Sequence, residues 1–126
     1  ARVFEGNMNM RYFQTAGTVI VISGDTTFPI VPRNQPDAEP IQVPNNYWEQ
    51  DCSAATQNLL LMAEAMGLGA VWTAGYPEKS RYEKVHAELG LPENVLPLAM
   101  IAVGYPTGED QPKDKWKPEK IHYNRW

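Results

Sequence analysis

The stretch from Tyr47 to Pro77 constrains this chain more than any other. It reads as a long helix, a tight stop, a buried strand and a turn. Asn46 is placed to cap the helix, with Glu49 three residues on, as in a capping box. Cys52, Ala55, Leu59, Met62 and Met66 form one apolar stripe at helical spacing; Ala54, Leu61, Ala65 and Leu68 form a second. A helix with two apolar stripes is expected to be covered on most sides. The small residues Cys52 to Thr56 let another backbone come close. Gly67 occupies the position where a left-handed C′ residue ends a helix, and Leu68 is its apolar C″ partner. Gly69 to Thr73 is short, apolar and partly β-branched or aromatic, which predicts a strand. Ala74, Gly75, Tyr76 and Pro77 end it.

The flanking sequence supplies the other elements. Thr18 to Ser23 is a continuous apolar run, the pattern of a strand buried on both faces, closed by Gly24 and Asp25. Residues 26–46 are predicted to form a long loop, because Pro29, Pro32, Pro36, Pro40 and Pro44 oppose helix and central strand alike. A loop of that length serves as a lid, as an arm towards a partner or as a surface insertion. Glu78 to Leu89 predicts a second, amphipathic helix, with Tyr82, Val85 and Leu89 inward and Lys79, Arg81, Glu83, Lys84 and Glu88 facing water. Gly90 and Pro92 stop it. Leu96 to Gly104 predicts a third buried strand, with Pro97 at its start. Residues 105–126 form a polar C-terminal extension whose Trp116, Tyr123 and Trp126 suggest a docked tail. At the other end, Phe4, Met8, Tyr12 and Phe13 could share a helical face, although Gly6, Asn7 and Asn9 weaken it. Strands and helices in this order indicate a sheet covered on both faces, within a single domain spanning 1–126. So few strands would leave edges and apolar faces bare, so the chain is expected to need a second subunit or a complementary polypeptide.

Composition removes several classes of function. A net charge of −4 does not favour nucleic acid. No apolar run reaches the roughly 18 residues of a membrane helix, and residues 1–25 lack the pattern of a signal peptide. One cysteine, among alanines, fits a buried hydrophobe in a reducing, cytoplasmic setting. His86 and His122 stand far apart with no ligand spacing, so no metal site is expected. Gly67-Leu68-Gly69 follows a helix and precedes a strand, the reverse of a dinucleotide-binding turn. No nucleophile elbow or pair of carboxylates marks a catalytic acid, base or nucleophile.

Two features remain. Ligands of open sheets bind outside strand carboxyl ends, which points to Trp72, Thr73, Ala74 and Gly75. Gly75 would let a flat ring approach the backbone. Lys113 and Lys115, two apart after Pro112, would point the same way in an extended segment and could hold a phosphate. The plainer reading makes Trp72 core and the lysines part of a solvated tail.

The wording of these segments resembles one family. Trp48 to Leu61, Gly67 to Thr73, Leu89 to Pro92, Ile101 to Pro106, Pro112 to Lys115 and His122 to Trp126 are similar, in register, to the FMN-dependent nitroreductases. The resemblance runs from about Thr15 to the end. It implies an α+β sandwich around a mixed sheet flanked by helices, built as an intertwined homodimer with FMN at the dimer interface. It places Trp72, Thr73, Ala74 and Gly75 against the isoalloxazine, and Lys113 and Lys115 at the FMN phosphate. The implied activity is hydride transfer from NAD(P)H through FMN to a nitroaromatic, quinone or similar small acceptor, with no catalytic side chain. The family's arginine-rich N-terminal motif and its flavin-reading Asn loop have no match in Ala1 to Thr15. The chain is therefore expected to be part of a longer protein or a shortened homologue. In the second case it could be a non-catalytic ligand-binding or dimerisation module.

Overall fold

The computed structural model describes residues 10–108 and 113–126. Phe4, Met8 and Pro112, invoked above, lie outside them. The elements are α1 (Tyr12–Thr15), β1 (Thr18–Asp25), β2 (Thr27–Ile30), β3 (Ile41–Pro44), α2 (Trp48–Ala65), β4 (Gly69–Ala74), α3 (Lys79–Leu89) and β5 (Val95–Gly104). A single 3-10 turn follows at Pro118–Lys120.

β5 is the axis of the sheet. Its residues Leu98 to Ala102 are buried, with Ala99 and Ile101 fully inaccessible. β1 and β4 flank it, and both neighbouring pairs are antiparallel. The alternation of strand and helix along the chain therefore yields no parallel neighbours among the described strands, because β5 inserts between β1 and β4. Side chains alternate across the pleat, so β5 supplies both faces. On one side Trp48 and Cys52 of α2 pack against Leu98, Ala99 and Ile101, with Ile20, Ile22 and Ala70 beside them. On the other, Phe13 of α1 and Val85 of α3 pack against Met100 and Ala102. The result is the expected α+β sandwich, a sheet between helices.

Local chemistry explains where each element stops. Gly67 adopts φ 71°, and the Leu68 and Gly67 amides donate to Ala63 and Glu64 carbonyls at 2.9 and 3.0 Å, the Schellman arrangement predicted for the end of α2. Gly90, at φ 60°, ends α3 in the left-handed region as well. Gly24 lacks a side chain because a Cβ there would stand 2.7 Å from Cys52 Sγ and 3.1 Å from Trp48, so glycine lets α2 close on β1.

Several expectations give way. Residues 26–46 are not a continuous loop: β2 and β3 pair as an antiparallel hairpin. Pro29 is compatible with this because the hairpin forms its own sheet of two edge strands, where a missing donor costs little. The start of α2 has no capping box. Tyr47 is the N-cap without a side-chain bond, and Asn45, not Asn46, turns its Oδ1 onto the Tyr47 amide at 3.2 Å. Pro97 is the third residue of β5, not the first. It is tolerated because the register with β1 shifts between Ile22 and Ser23, leaving Leu98 as the extra residue of a bulge. Leu89 is half-exposed, since the sheet-facing contact of α3 is carried by Val85.

The two stripes of α2 are also redrawn. Its inner face is Trp48, Cys52, Thr56 and Ala63, with Leu59 and Leu60 partly buried. Leu61, Met62 and Met66 are 60%, 61% and 66% exposed. Nor does the tail dock on the described residues: Trp116, Tyr123 and Trp126 are exposed, and the last stacks on His122, with ring centroids 4.4 Å apart.

Candidate functional site

The carboxyl ends of β1 and β4 and the amino end of β5 meet at one end of the sheet, as the antiparallel registers require. The β2–β3 hairpin springs from the same end. Its base is tied down where the Thr26 amide and hydroxyl both donate to the Asn94 carbonyl, at 2.7 and 2.9 Å, and Asn94 Nδ2 donates to Asp25 Oδ1 at 3.1 Å. Phe28, Ile30, Val31 and Ile41 on this hairpin are exposed.

At that end β4 is an edge strand. The Gly75 amide donates to the Leu98 carbonyl at 2.7 Å. Hydrogen-bonded and non-bonded positions alternate along an antiparallel pair. Thr73 and Val71 therefore share the parity that bonds to β5, whereas Trp72 and Ala74 turn their amides and carbonyls to the edge that no described strand covers. Thr73 is buried and points its hydroxyl at Tyr12, whose phenol oxygen lies 2.6 Å from Thr73 Oγ1. Trp72 is 38% exposed, so it is neither wholly core nor free. Ala74 is exposed and small. The segment thus offers a flat stretch of main-chain donors and acceptors with one aromatic beside it.

The sheet itself requires a glycine at Gly75, whether or not a ring lies against it. A Cβ there would lie 2.5 Å from the Pro97 carbonyl oxygen and 3.4 Å from that of Leu98. The backbone that approaches Gly75 is β5. A bulky residue at 75 would therefore disrupt the sheet before it obstructed any ring.

Lys113 and Lys115 are exposed on an irregular segment. Asp114 between them accepts the Trp116 amide at 2.9 Å. Among the described residues, no hydrogen bond or ion pair joins either lysine to the end of β4. The structure thus gathers Trp72, Thr73, Ala74 and Gly75 at one strand end, and no bond among the described residues ties the lysines to it.

Two residues at this end escape sequence reasoning. Tyr12 belongs to a segment too poor in pattern to place. Arg81 looks like a water-facing helix residue, yet its Nη1 donates to the Ala74 carbonyl at 2.8 Å. Its position in the first turn of α3, just past the β4 turn, is the only sequence signal that it could reach back. Lys79, by contrast, pairs with Glu83 at 3.7 Å on the exposed helix face, a contact of a few tenths of a kcal/mol. Cys52 is buried under β1, and burial, then the Asp51 and Asp25 carboxylates, push its thiol up from the ordinary value.

The described residues thus form an α+β sheet between helices with an accessible strand end. The sequence model of the Nitroreductase family matches residues 4–105, and the chain belongs to that family. The match begins upstream of Thr15 and leaves the tail beyond Tyr105 outside it. A putative NADH dehydrogenase/NAD(P)H nitroreductase of Methanothermobacter thermautotrophicus is 44% identical over 64% of this chain and 42% of its own length. The crystal structure of a protein of the same description from Parabacteroides distasonis superposes with a TM-score of 0.79 at 44% identity, covering 98% of this chain and 65% of that one. The NADPH:FMN oxidoreductase of Vibrio harveyi, complexed with NAD+, superposes with a TM-score of 0.70 at 26% identity over 99% of this chain and 54% of that one. The chain spans about half the length of the curated relatives it matches. No helix among the described residues is long and apolar enough to cross a membrane.

Proposed function

We propose that this chain forms part of an FMN-dependent NAD(P)H oxidoreductase that reduces nitroaromatics, quinones or similar small acceptors. The observation that carries the reading is the end of β4. The amides of Trp72 and Ala74 face the edge that no described strand covers, in a chain whose family relatives bear the names of NAD(P)H reductases. The residues present fit the edge of an isoalloxazine ring, which carries both hydrogen-bond donors and acceptors. When bound, FMN would take a hydride from NAD(P)H and pass the two electrons to the acceptor. The protein's share is positioning. The Ala74 and Trp72 amides would hold the ring edge, the buried Thr73 would fix the strand, and Trp72 would shield one side from water. Lys113 and Lys115, exposed on the irregular segment after β5, would supply ammonium groups suited to a phosphate.

The exposed outer surface of α2 and the exposed hairpin support a second element of the reading, a homodimer or a complementary polypeptide that covers them. A single buried cysteine suits a reducing, cytoplasmic setting. The test is anaerobic titration with FMN followed by NADH or NADPH. Retention of the flavin and loss of its visible absorbance on adding the nicotinamide support the oxidoreductase. A folded chain that holds no FMN would instead be a binding or dimerisation module on the family's fold.

A further inference from the structure

Arg81 has no ion pair among the described residues; its guanidinium reaches from α3 to the Ala74 carbonyl. The peptide unit joining Ala74 to Gly75 is thereby held at both ends, its oxygen by Arg81 and its N–H by the Leu98 carbonyl. One residue earlier, the Tyr12 phenol holds the Thr73 side chain. Among the described residues, the main-chain group left open at residue 74 is its own amide. In an extended residue the N–H and C=O point to the same side of the strand. The guanidinium that caps the Ala74 carbonyl therefore sits beside the open Ala74 amide. Whatever accepts a hydrogen bond from that amide lies next to a fixed positive charge.

We propose that Arg81 is a positioning residue that sets this strand end for an electron-accepting ring and, by its charge, favours the ring's reduced and more negative form. The inference rests on the FMN reading above. An arginine suits the task because its planar fork can stay on the carbonyl while the charge remains delocalised and permanent. A water molecule could satisfy the same carbonyl, but it would bring neither the rigidity nor the charge.

The experiment compares the full chain with Arg81→Lys, Arg81→Gln and Arg81→Ala. It reads FMN affinity, the visible spectrum and reduction potential of the bound flavin, and the melting temperature of the flavin-free protein. Arg81→Ala should weaken FMN by about tenfold, the loss of one charge-assisted contact. Arg81→Gln keeps a donor without the charge, so it should bind oxidised FMN better than the alanine variant while lowering the potential. Each tenfold loss of affinity for reduced over oxidised flavin moves the two-electron potential by about 30 mV. Arg81→Lys should restore the potential more than the affinity. The potential difference should shrink in high salt, because the site is exposed. An alanine variant with unchanged affinity, spectrum and potential would overturn the inference and leave the FMN reading intact. So would three variants that lose affinity equally and in step with melting temperature, since Arg81 would then only anchor α3. A wild-type chain that binds no FMN would overturn both.

Discussion

The two sides of α2 are built from the same kinds of residue and do opposite things. The inner side carries Trp48, Cys52, Thr56 and Ala63, each less than a tenth exposed. The outer side carries Ala54, Leu61, Met62, Ala65 and Met66, all exposed. Past Trp48 in the first turn, the inner side carries the small residues Cys52, Thr56 and Ala63, where α2 lies against a sheet whose central strand is itself bulky, with Ile101 and Leu98 beneath it. Close approach needs small side chains, and Gly24 extends the same logic to β1. On the outer side Leu61, Met62 and Met66 are longer and more flexible, and none of the described residues covers them. After the first turn, then, size separates the residues that pack within the chain from Leu61, Met62 and Met66, which suit a second surface. Hydrophobicity alone does not.

The sharpest way to break the comparison uses adjacent residues. Ala63→Asp would bury an unpaired carboxylate between α2 and the sheet, which should cost several kcal/mol and prevent folding. Met62→Asp places the same charge one residue earlier, on a side chain that is 61% exposed. The single chain should still fold. Circular dichroism and thermal melts of the two proteins check this. Equal melting temperatures for the two variants would show that the faces are not distinct.

The glycines at the rim of the inner face come next. Gly24→Ala must displace Cys52 Sγ or Trp48, and a cost of about 1–3 kcal/mol is expected from overpacking. Gly75→Ala meets a main-chain oxygen that cannot rotate away, so its loss of melting temperature should be the larger of the two. If Gly75→Ala kept the wild-type melting temperature, the close approach of β5 would be wrong and the site would return to the ring-clearance reading.

How much of this was legible follows from the same residues. β1, β4 and β5 came through as strands because they are continuous apolar runs, a pattern that survives without knowledge of neighbours, whereas their order in the sheet did not. Gly67 and Gly90 marked the helix ends because their conformation is encoded locally. The inner face of α2 was not legible, since Thr56 looks polar. It is fully buried because its hydroxyl bonds to the Cys52 carbonyl one turn back, at 2.7 Å. The hairpin was hidden by its prolines, which forbid central strands but not edge strands. At the candidate site, the strand end could be placed from the run Gly69 to Thr73. Arg81 and Tyr12 could not, because each acts across a distance in sequence that no periodicity reports: Arg81 reaches back 7 positions and Tyr12 forward 61.

A gentler probe of the inner side is pH. The Cys52 thiol is raised by burial, so the folded chain prefers the protonated form more than the unfolded chain does. The contribution is intact below the unfolded thiol's ordinary value. It falls as the pH rises from there towards the raised folded value, because only the unfolded chain then gains by ionising. Melting temperature should decline across that alkaline window, and Cys52→Ala should flatten the decline. An identical slope in the variant would assign it to other groups.

The smallest effect on folding, and the most pointed test of the outer side, comes from Leu61→Gln with Met62→Gln. Both side chains are about three-fifths exposed, and both replacements are good helix formers, so the stability of an isolated chain should stay within about 0.5 kcal/mol. The outer surface would nevertheless lose the apolar side chains that a partner must bury. If a second copy covers this face, sedimentation should show the wild type as a dimer and the double variant shifted towards monomer at the same concentration. Dilution should separate them further, because dimer stability depends on protomer concentration. FMN retention should fall together with the dimer if the flavin lies between subunits, and should be unchanged if the end of β4 holds it alone. A double variant that sediments like the wild type would show that the outer face of α2 is simply exposed and that any association uses the hairpin. A wild type that is monomeric throughout would leave the inner and outer faces differing in packing alone, with no partner to explain the larger side chains outside.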